Sequence, residues 1–383
     1  MSGFLVGHAT HPDWRGALAL AAAQIEGARA RGAAAPTLGF VYLTDAYAGA
    51  AEPLLAELQL RWPGVAWVGS VGVGVAASGV EYFDEPALVL MLADLPAGAF
   101  EVYSGARKLQ RIDPYSALVH ADPATPDLAE LIAELAERMG SGYLFGGLAS
   151  PRRRALHIAD GVWEGGLSGV AFDADVALVS RVTQGCQPIG PTRSIDACER
   201  HIALTLDGEP ALACLLRDLG VADLGNPREL LPRLRGTLVG LTDARDEAGA
   251  RAGQFGSATR VRHLIGIDPA RRAVAVADPL EPGLRMAYCQ RDVAAARRDL
   301  VRICSEIREE LAGEPGARAR PLRGALYVSC SGRGGPHFGG PSAELQIVQH
   351  ALGDVPLVGY FAGGEIARHH LYGYTGVLTV FTA

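Results

Sequence analysis

The chain has 383 residues, of which 49% are hydrophobic and 20% charged, so its composition is that of a globular protein long enough for two or more domains. The formal net charge of −7 argues against nucleic acid as a partner, because phosphate binding needs a clustered basic surface. Lys108 is the only lysine and has no glycine-rich loop before it, which excludes a P-loop nucleotide site and a protein-kinase core.

The predicted elements begin with a strand, Gly3–His8, and a helix over residues 14–31 that Asp13 can cap. A strand–loop–helix–strand unit follows, and the same order returns twice later in the chain. We call these three stretches copies, and each has a glycine-rich segment after its second strand that predicts a turn. Strand, helix and strand cover residues 38–44, 52–61 and 65–69 in the first copy, 117–120, 128–139 and 143–145 in the second, and 325–328, 342–352 and 355–358 in the third.

Short connections of this kind favour sheets covered by helices. Continuous apolar strands such as Val65–Val68 and Val355–Val358 indicate burial on both faces. We therefore predict an α/β fold: a layered sandwich of mixed β-sheets covered by helices and built from repeated strand–loop–helix–strand units.

A different pattern separates the second and third copies. Its predicted strands cover residues 201–206, 237–241, 261–267 and 273–276, and its helices cover 210–219 and 292–311. Val221–Pro227 and the Gly-, Pro- and Arg-rich stretch Gly313–Pro321 are predicted linkers. We place a domain boundary near residue 225, which gives domains over residues 1–224 and 225–383.

Polar candidates lie just beyond the first strand of each copy, where Asp45, Asp122 and Cys330 align. Ligands of α/β proteins gather at the carboxyl ends of strands. The loop of the third copy, Ser329–Gly335, is the richest in candidates. Its small residues let backbone amides approach an anion, and Arg333 adds a planar fork for a carboxylate or phosphate.

Glu365 follows two glycines in the third copy, where the other copies have Val75 and Arg152. Its carboxylate could hold an ammonium group, so Arg333 and Glu365 together would suit a zwitterion. A structural ion pair between the two side chains, ordering the loops, is the alternative. Both interpretations remain open at the level of sequence.

Cys330 could act as a nucleophile with His337 as its base, or it could be a buried structural thiol. Cys186, in the turn-rich segment Gly185–Gly190, is open to the same two interpretations. The order of glycines in Gly69–Gly74 is not that of a dinucleotide fingerprint.

Metal and membrane sites are not predicted. No two of the six cysteines have Cys-x-x-Cys spacing, and the pairs His8/His11 and His369/His370 lack a nearby third ligand, so we expect no metal and no cofactor. The N-terminus has no secretory pattern, and no segment reaches 18 apolar residues. We therefore expect a cytoplasmic protein with free thiols.

Several motifs, in order along nearly the whole chain, resemble the FIST family. Gly185–Gly190 and Asp207–Ala211 are similar to its N-terminal domain, and Ser329–Gly334 and Gly359–Ile366 are similar to its C-terminal domain. The Cys-x-Gly-Arg and Gly-Gly-Glu-Ile elements are the most specific. Gly69-Ser70 is a weaker match.

The resemblance implies a small-ligand sensor in signal transduction, with amino acids or similar carboxylates as ligands. We expect its output to need a separate signalling protein or to act through the oligomeric state. The remaining hypotheses are a hydrolase or transferase that depends on Cys330, and a protein-interaction scaffold. The candidate ligand-binding residues are Asp45, Ser70, Cys186, Cys330, Ser331, Arg333, Gly359, Gly364 and Glu365.

Overall fold

A computed structural model of the protein describes residues 3–29, 34–221, 227–244, 255–256, 259–313 and 319–383. The chain forms two compact units. The first unit contains the residues up to Thr183 and those from Arg297 onward, and the second contains Gln184–Ala296. The predicted domain boundary near residue 225 lies outside the described residues and stays a prediction. No helix in the described ranges is long and apolar enough to cross a membrane.

Strands and helices of mostly buried residues alternate in the first part of the chain. Asp13 caps the first helix as predicted, since its carboxylate accepts a hydrogen bond from the Gly16 amide at 3.3 Å. The elements are β1 (Phe4–Thr10), α1 (Trp14–Ala28), β2 (Leu38–Thr44), α2 (Ala51–Arg61), β3 (Ala66–Gly72), β4 (Gly74–Ala77), β5 (Val80–Phe83), β6 (Ala87–Ala93), β7 (Phe100–Tyr103), β8 (Ser116–Ala121), α3 (Leu128–Glu137), β9 (Tyr143–Leu148), β10 (His157–Ala159), β11 (Val162–Trp163), β12 (Leu167–Phe172) and β13 (Leu178–Gln184).

The later elements begin with short strands and end in a third helix-linked strand pair. They are β14 (Cys186–Pro188), β15 (Arg193–Glu199), β16 (Ile202–Leu206), β17 (Glu209–Pro210), α4 (Ala211–Asp218), α5 (Pro227–Arg235), β18 (Thr237–Thr242), β19 (Arg260–Asp268), β20 (Ala273–Val276), β21 (Arg285–Arg291), α6 (Val293–Ala312), β22 (Leu322–Cys330), α7 (Ala343–Leu352), β23 (Leu357–Ala362), β24 (Glu365–Arg368), β25 (His370–Tyr372) and β26 (Thr375–Thr382).

Within the described residues, the first unit contains three mixed six-stranded sheets that share one strand order. A parallel pair joined by a helix lies in each: β2–α2–β3, β8–α3–β9 and β22–α7–β23. An antiparallel strand (β6, β12 or β26) borders the first strand of the pair, and a hairpin borders the second. The pairs coincide with the three predicted copies, although their origin as repeats of one unit stays a prediction.

The hairpin that completes each sheet comes from another pair's stretch of chain. Hairpin β4–β5 follows β3 but pairs with β23. Hairpin β10–β11 follows β9 and pairs with β3, and β24–β25 follows β23 and pairs with β9. The exchange is cyclic, so each sheet needs a hairpin from a different helix-linked pair.

One face of each sheet of the first unit enters a common apolar core, which includes Phe40, Phe145 and Leu326. The opposite faces of two sheets are covered by helices: α1 and α2 on the first sheet, and α3, through Ile132, on the second. Burying one large apolar side chain stabilises the fold by roughly 1.5–3 kcal/mol, so this shared core supplies much of the stability.

The second unit contains a closed barrel. Strands β15, β16, β20, β19 and β18 pair in that order with antiparallel neighbours, and β21 closes the ring by pairing with both β18 and β15. Apolar side chains such as Leu206, Val239 and Met286 form the core of this unit. The sequence predicted several of these strands but not their closure into a barrel.

The mixed α/β class of the prediction is confirmed, and the layered sandwich stays a prediction. The turn predicted at Gly146-Gly147 is wrong, because both residues lie inside β9, whereas the segments Gly69–Gly74 and Gly359–Gly364 contain the bends that end β3 and β23. Gly69, Gly146 and Gly359 themselves lie within strands. These glycines serve close strand approach and not chain reversal. A Cβ atom would stand 1.7 Å from the Val41 oxygen at Gly69, 2.0 Å from the Val119 oxygen at Gly146 and 1.7 Å from the Tyr327 oxygen at Gly359.

We expect Gly69→Ala to lower the free energy of unfolding by at least about 2 kcal/mol, because the new methyl group would force β2 and β3 apart. Gly49→Ala is the matched control, since a Cβ there meets no atom within 4 Å. Its effect should lie within about 1 kcal/mol of zero. Urea unfolding of both variants measures the difference, and equal midpoints would contradict the steric argument.

Candidate functional site

Polar side chains lie at the same position along the strands of the three sheets, one residue beyond Gly69, Gly146 and Gly359. We call these three the paired glycines, because each pairs with a residue of the first strand of its copy. Cross-strand pairing at this level defines three central rows, each containing one residue from the first strand, one from the second strand and one from the hairpin. All three rows lie on the inner faces of the sheets. The rows are Tyr42–Ser70–His157, His120–Gly147–Glu365 and Val328–Tyr360–Val75.

Three rings, one from each central row, are in mutual contact. Tyr42 and Tyr360 stack with their centroids 5.0 Å apart, and His120 lies 5.6 Å from Tyr42 and 5.9 Å from Tyr360. The Tyr42 hydroxyl and His120 Nε2 are 3.3 Å apart. The three sheets therefore meet at a polar aromatic cluster inside an otherwise apolar core.

The two histidines of the central rows differ in how many of their ring nitrogens have hydrogen-bond partners. His157 hydrogen-bonds through both ring nitrogens, to Ser168 Oγ at 2.6 Å and to the Gly165 carbonyl at 3.1 Å. Burial, with a smaller effect from His157, lowers the pKa of His120 to about 3, so His120 is neutral. His120 Nδ1 is buried without a hydrogen-bond partner among the described residues.

Glu365 begins β24 and its side chain is fully buried. Its Oε2 accepts hydrogen bonds from the Thr375 amide at 3.1 Å and the Thr375 hydroxyl at 2.7 Å, whereas Oε1 has no partner in the described part of the chain. Burial raises the pKa of Glu365 to about 7, against the lowering effects of the Thr375 hydrogen bonds, the Arg333 charge and a side-chain hydrogen bond with Cys330. The carboxyl group therefore titrates near neutral pH.

Arg333 is 1% exposed and pairs with Glu344. Its Nε donates to Glu344 Oε1 at 2.9 Å, and its Nη2 lies 2.7 Å from the same oxygen. Tyr327 and Ser329 also donate to this carboxylate, at 2.7 Å and 3.1 Å. Arg333 therefore has a structural ion-pair partner in Glu344 rather than the Glu365 suggested from sequence. Its Nη1 is buried with no partner among the described groups.

Cys330 ends β22 and is 8% exposed. Burial, with a further contribution from the charge of Glu365, raises the pKa of the thiol to about 12. The Gly332 and Tyr374 amides and Arg333 oppose this rise only in part. At neutral pH the group is a thiol and not a thiolate, so it lacks the activation that a cysteine nucleophile needs.

The other candidates near Cys330 take part in backbone packing. The Ser331 amide donates to the Ala362 carbonyl at 2.8 Å, and the Gly364 carbonyl accepts from the Leu148 amide at 2.8 Å. Gly359 faces the Tyr327 carbonyl with no room for a Cβ. The two glycines therefore act through their backbone alone, whereas Ser331 also has a partly buried hydroxyl group.

Ser70, Asp45 and Cys186 have different locations. Ser70 lies in a central row and is fully buried. Counted from the paired glycines, the residue that matches Asp122 and Cys330 is Thr44, one residue before Asp45. Cys186 belongs to the second unit, where its side chain hydrogen-bonds to Cys289.

Sequence reasoning missed Tyr42, His120, Tyr360 and the Arg333 partner Glu344. A signal for the first two was present, because Tyr42 and His120 occupy one position when the copies are aligned on their paired glycines. Tyr360 directly follows Gly359 as Ser70 follows Gly69. Comparing the copies position by position would have identified these side chains as candidate site residues.

Comparison with known proteins bears on the whole chain. The FIST N domain matches residues 37–209 and the FIST C domain matches residues 211–368. An uncharacterized protein of Mycobacterium tuberculosis (strain ATCC 25618 / H37Rv) is 31% identical over 394 residues, covering 98% of each chain. An uncharacterized protein of Mycobacterium bovis (strain ATCC BAA-935 / AF2122/97) is 31% identical over 395 residues, with the same coverage.

These matches confirm the resemblance found in the sequence motifs. FIST domains are associated with sensory and signal-transduction roles and are generally sensory rather than catalytic. Since the two domain matches together span most of the sequence, the chain belongs to the FIST family.

Proposed function

We propose that this protein is a small-ligand sensor whose ligand, an amino acid or a similar small carboxylate, binds between Arg333 and Glu365. One observation carries the proposal: a buried guanidinium nitrogen and a buried carboxylate oxygen of opposite charge both lack hydrogen-bond partners among the described residues. Each is fully buried in the same unit, and their charges interact.

Leaving a buried polar group unpaired costs about 1–3 kcal/mol, and more for a charged one. A zwitterion would satisfy both groups, because Arg333 Nη1 can donate to a carboxylate and Glu365 Oε1 can accept from an ammonium group. Such a ligand also brings no net charge into the interior. A carboxyl group that titrates near pH 7 suits this role, since an ammonium group can replace its proton.

The loop after Cys330 links binding to a response. The Glu81 carboxylate accepts hydrogen bonds from the Gly335 amide at 3.1 Å and the Ser342 amide at 2.9 Å, which ties the loop to β5. A ligand can reach fully buried atoms only if a covering segment moves. We propose that movement of this loop, shifted in population by the ligand, is what a separate signalling partner detects.

Chemistry at Cys330 is less well supported, because a thiol with a pKa near 12 is a poor nucleophile at neutral pH. We also retain the predicted cytoplasmic setting as a proposal, since all six cysteines are free. Asp45, Ser70, Ser331, Gly359, Gly364 and Cys186 remain proposed contributors, with Ser70 the best placed because of its central row.

Thermal unfolding with a panel of the twenty amino acids should reveal a ligand that raises the melting temperature, because native-state binding stabilises by mass action. We expect Glu365→Gln and Arg333→Lys to abolish the shift. Arg193→Lys is the control: Arg193 forms a buried bidentate pair with Asp218, both contacts at 2.7 Å, in the second unit. It should lower stability and leave the shift unchanged, whereas a shift kept by both site variants would exclude this site.

Iodoacetamide at pH 7 should label Cys330 more slowly than Cys198, because burial raises the pKa of both thiols but only Cys198 is partly exposed to the reagent. Mass spectrometry of tryptic peptides over time measures both rates, and the urea-unfolded chain provides the unprotected reference. Faster labelling at Cys330 would revive the cysteine-dependent enzyme as the better hypothesis.

The stability of the protein should depend on pH through Glu365. Because folding raises the pKa of this carboxyl from 4.5 to about 7, the folded chain holds the proton more tightly than the unfolded chain. The resulting stabilisation is complete below pH 4.5 and is lost as the pH rises to about 7, a change on the order of 3 kcal/mol. Urea unfolding at several pH values should show this slope in the wild type relative to Glu365→Gln; parallel curves would argue against it.

A further inference from the structure

Two further unpaired polar atoms lie beside the Arg333–Glu365 site. They are His120 Nδ1 and the Tyr360 hydroxyl, both buried without a partner in good hydrogen-bond geometry among the described residues, although the Ser70 hydroxyl lies close enough to the Tyr360 hydroxyl to lower its pKa. Both side chains are fully buried, and their rings are in contact at 5.9 Å. Phenylalanine in place of Tyr360 would keep the ring stacking on Tyr42, so the packing of the ring does not by itself require this hydroxyl.

The sheet register connects these atoms to Glu365. His120 and Glu365 flank Gly147 in one central row and face the same core, with no side chain between them at that position. Val328 and Ala362 fill the space that a Cβ on Gly147 would take. Burial and then Tyr42 raise the pKa of Tyr360, the Ser70 side chain lowers it, and the charge of Glu365 is a smaller cause that raises it. The four unpaired atoms therefore belong to one buried polar region.

We propose that His120 and Tyr360 determine which amino acid the site accepts, and that they select a small, neutral, hydrogen-bonding side chain such as that of threonine or asparagine. This inference rests on the proposed function, in which Arg333 and Glu365 hold the zwitterionic end. The Tyr360 hydroxyl can donate and accept. His120 offers Nδ1–H when the Tyr42 hydroxyl donates to its Nε2.

The charges of the region decide the ligand class. His120 is neutral, and the two charged groups of the site are assigned to the ligand's carboxylate and ammonium, so a charged side chain would enter the core without a counter-charge. An apolar side chain would leave His120 Nδ1 and the Tyr360 oxygen unpaired on binding. Each lost hydrogen bond weakens binding by roughly tenfold, so isosteric apolar ligands should be rejected.

Calorimetric titration with two isosteric ligand pairs tests the inference: threonine against valine, and asparagine against leucine. The wild type should bind the polar member of at least one pair roughly tenfold or more tightly than its isostere. Tyr360→Phe should lower that ratio, because it removes one of the two selecting groups and leaves His120 in place, and the unliganded variant should stay folded with its ring packed on Tyr42.

Tyr103→Phe is the matched control, because the Tyr103 hydroxyl is buried in the same unit but donates to the Leu118 carbonyl at 3.0 Å. It should lower stability and preserve the selectivity ratio. Equal binding of polar and apolar isosteres by the wild type would overturn the inference and leave the proposed function intact, as would a ratio unchanged in Tyr360→Phe. If no amino acid binds the wild type, both proposals fail. If Tyr360→Phe does not fold, the selectivity of the wild type alone decides the inference.

Discussion

The cyclic exchange of hairpins is the constraint on which the first unit depends. Each parallel pair is completed by a hairpin from a different stretch of chain, so the three sheets cannot form independently. Within each parallel pair, a glycine of the second strand permits close approach to the first strand. One residue further along each strand, the inner faces of all three sheets meet at the same level. The position of the polar cluster is therefore a result of the strand pairing.

The polar side chains of the central rows lower the stability of the fold, and the apolar core has to compensate for this loss. Six side chains with polar groups occupy the nine positions of the central rows. The layer before them is apolar and includes Phe40, Leu118 and Leu326, whereas Thr44, Asp122 and Cys330 stand two residues after the first-strand positions. Some are well satisfied, as His157 is by Ser168 and Gly165. Others keep unpaired atoms in a low-dielectric interior, where an unmade hydrogen bond is expensive. Such a concentration of unmet hydrogen-bonding capacity is typical of a binding site rather than of a core selected for stability.

The sequence was sufficient to predict the strand–helix–strand order and the mixed α/β class, because these follow from local periodicity and composition. Strand pairings between distant parts of the chain could not be predicted from the sequence. The pairing of Gly147 with Glu365 and the closure of the barrel through β18 and β21 join distant stretches that leave no local pattern. For the same reason, Arg333 was matched with Glu365, when a partner on the following helix, Glu344, lay closer in sequence and in space.

The differences between the copies suggest how a symmetric scaffold can hold an asymmetric ligand. The first-strand position of the central rows is Tyr42, His120 or Val328, so two sheets offer polar groups and the third offers an apolar surface. That third sheet instead contributes Tyr360 and, just beyond it, the loop with Arg333. Polar side chains are thus spread unequally over the central rows, with three in the first sheet, two in the second and one in the third. A ligand with distinct ends, such as an amino acid, would contact all three sheets in only one orientation, and its binding would stabilise their mutual arrangement.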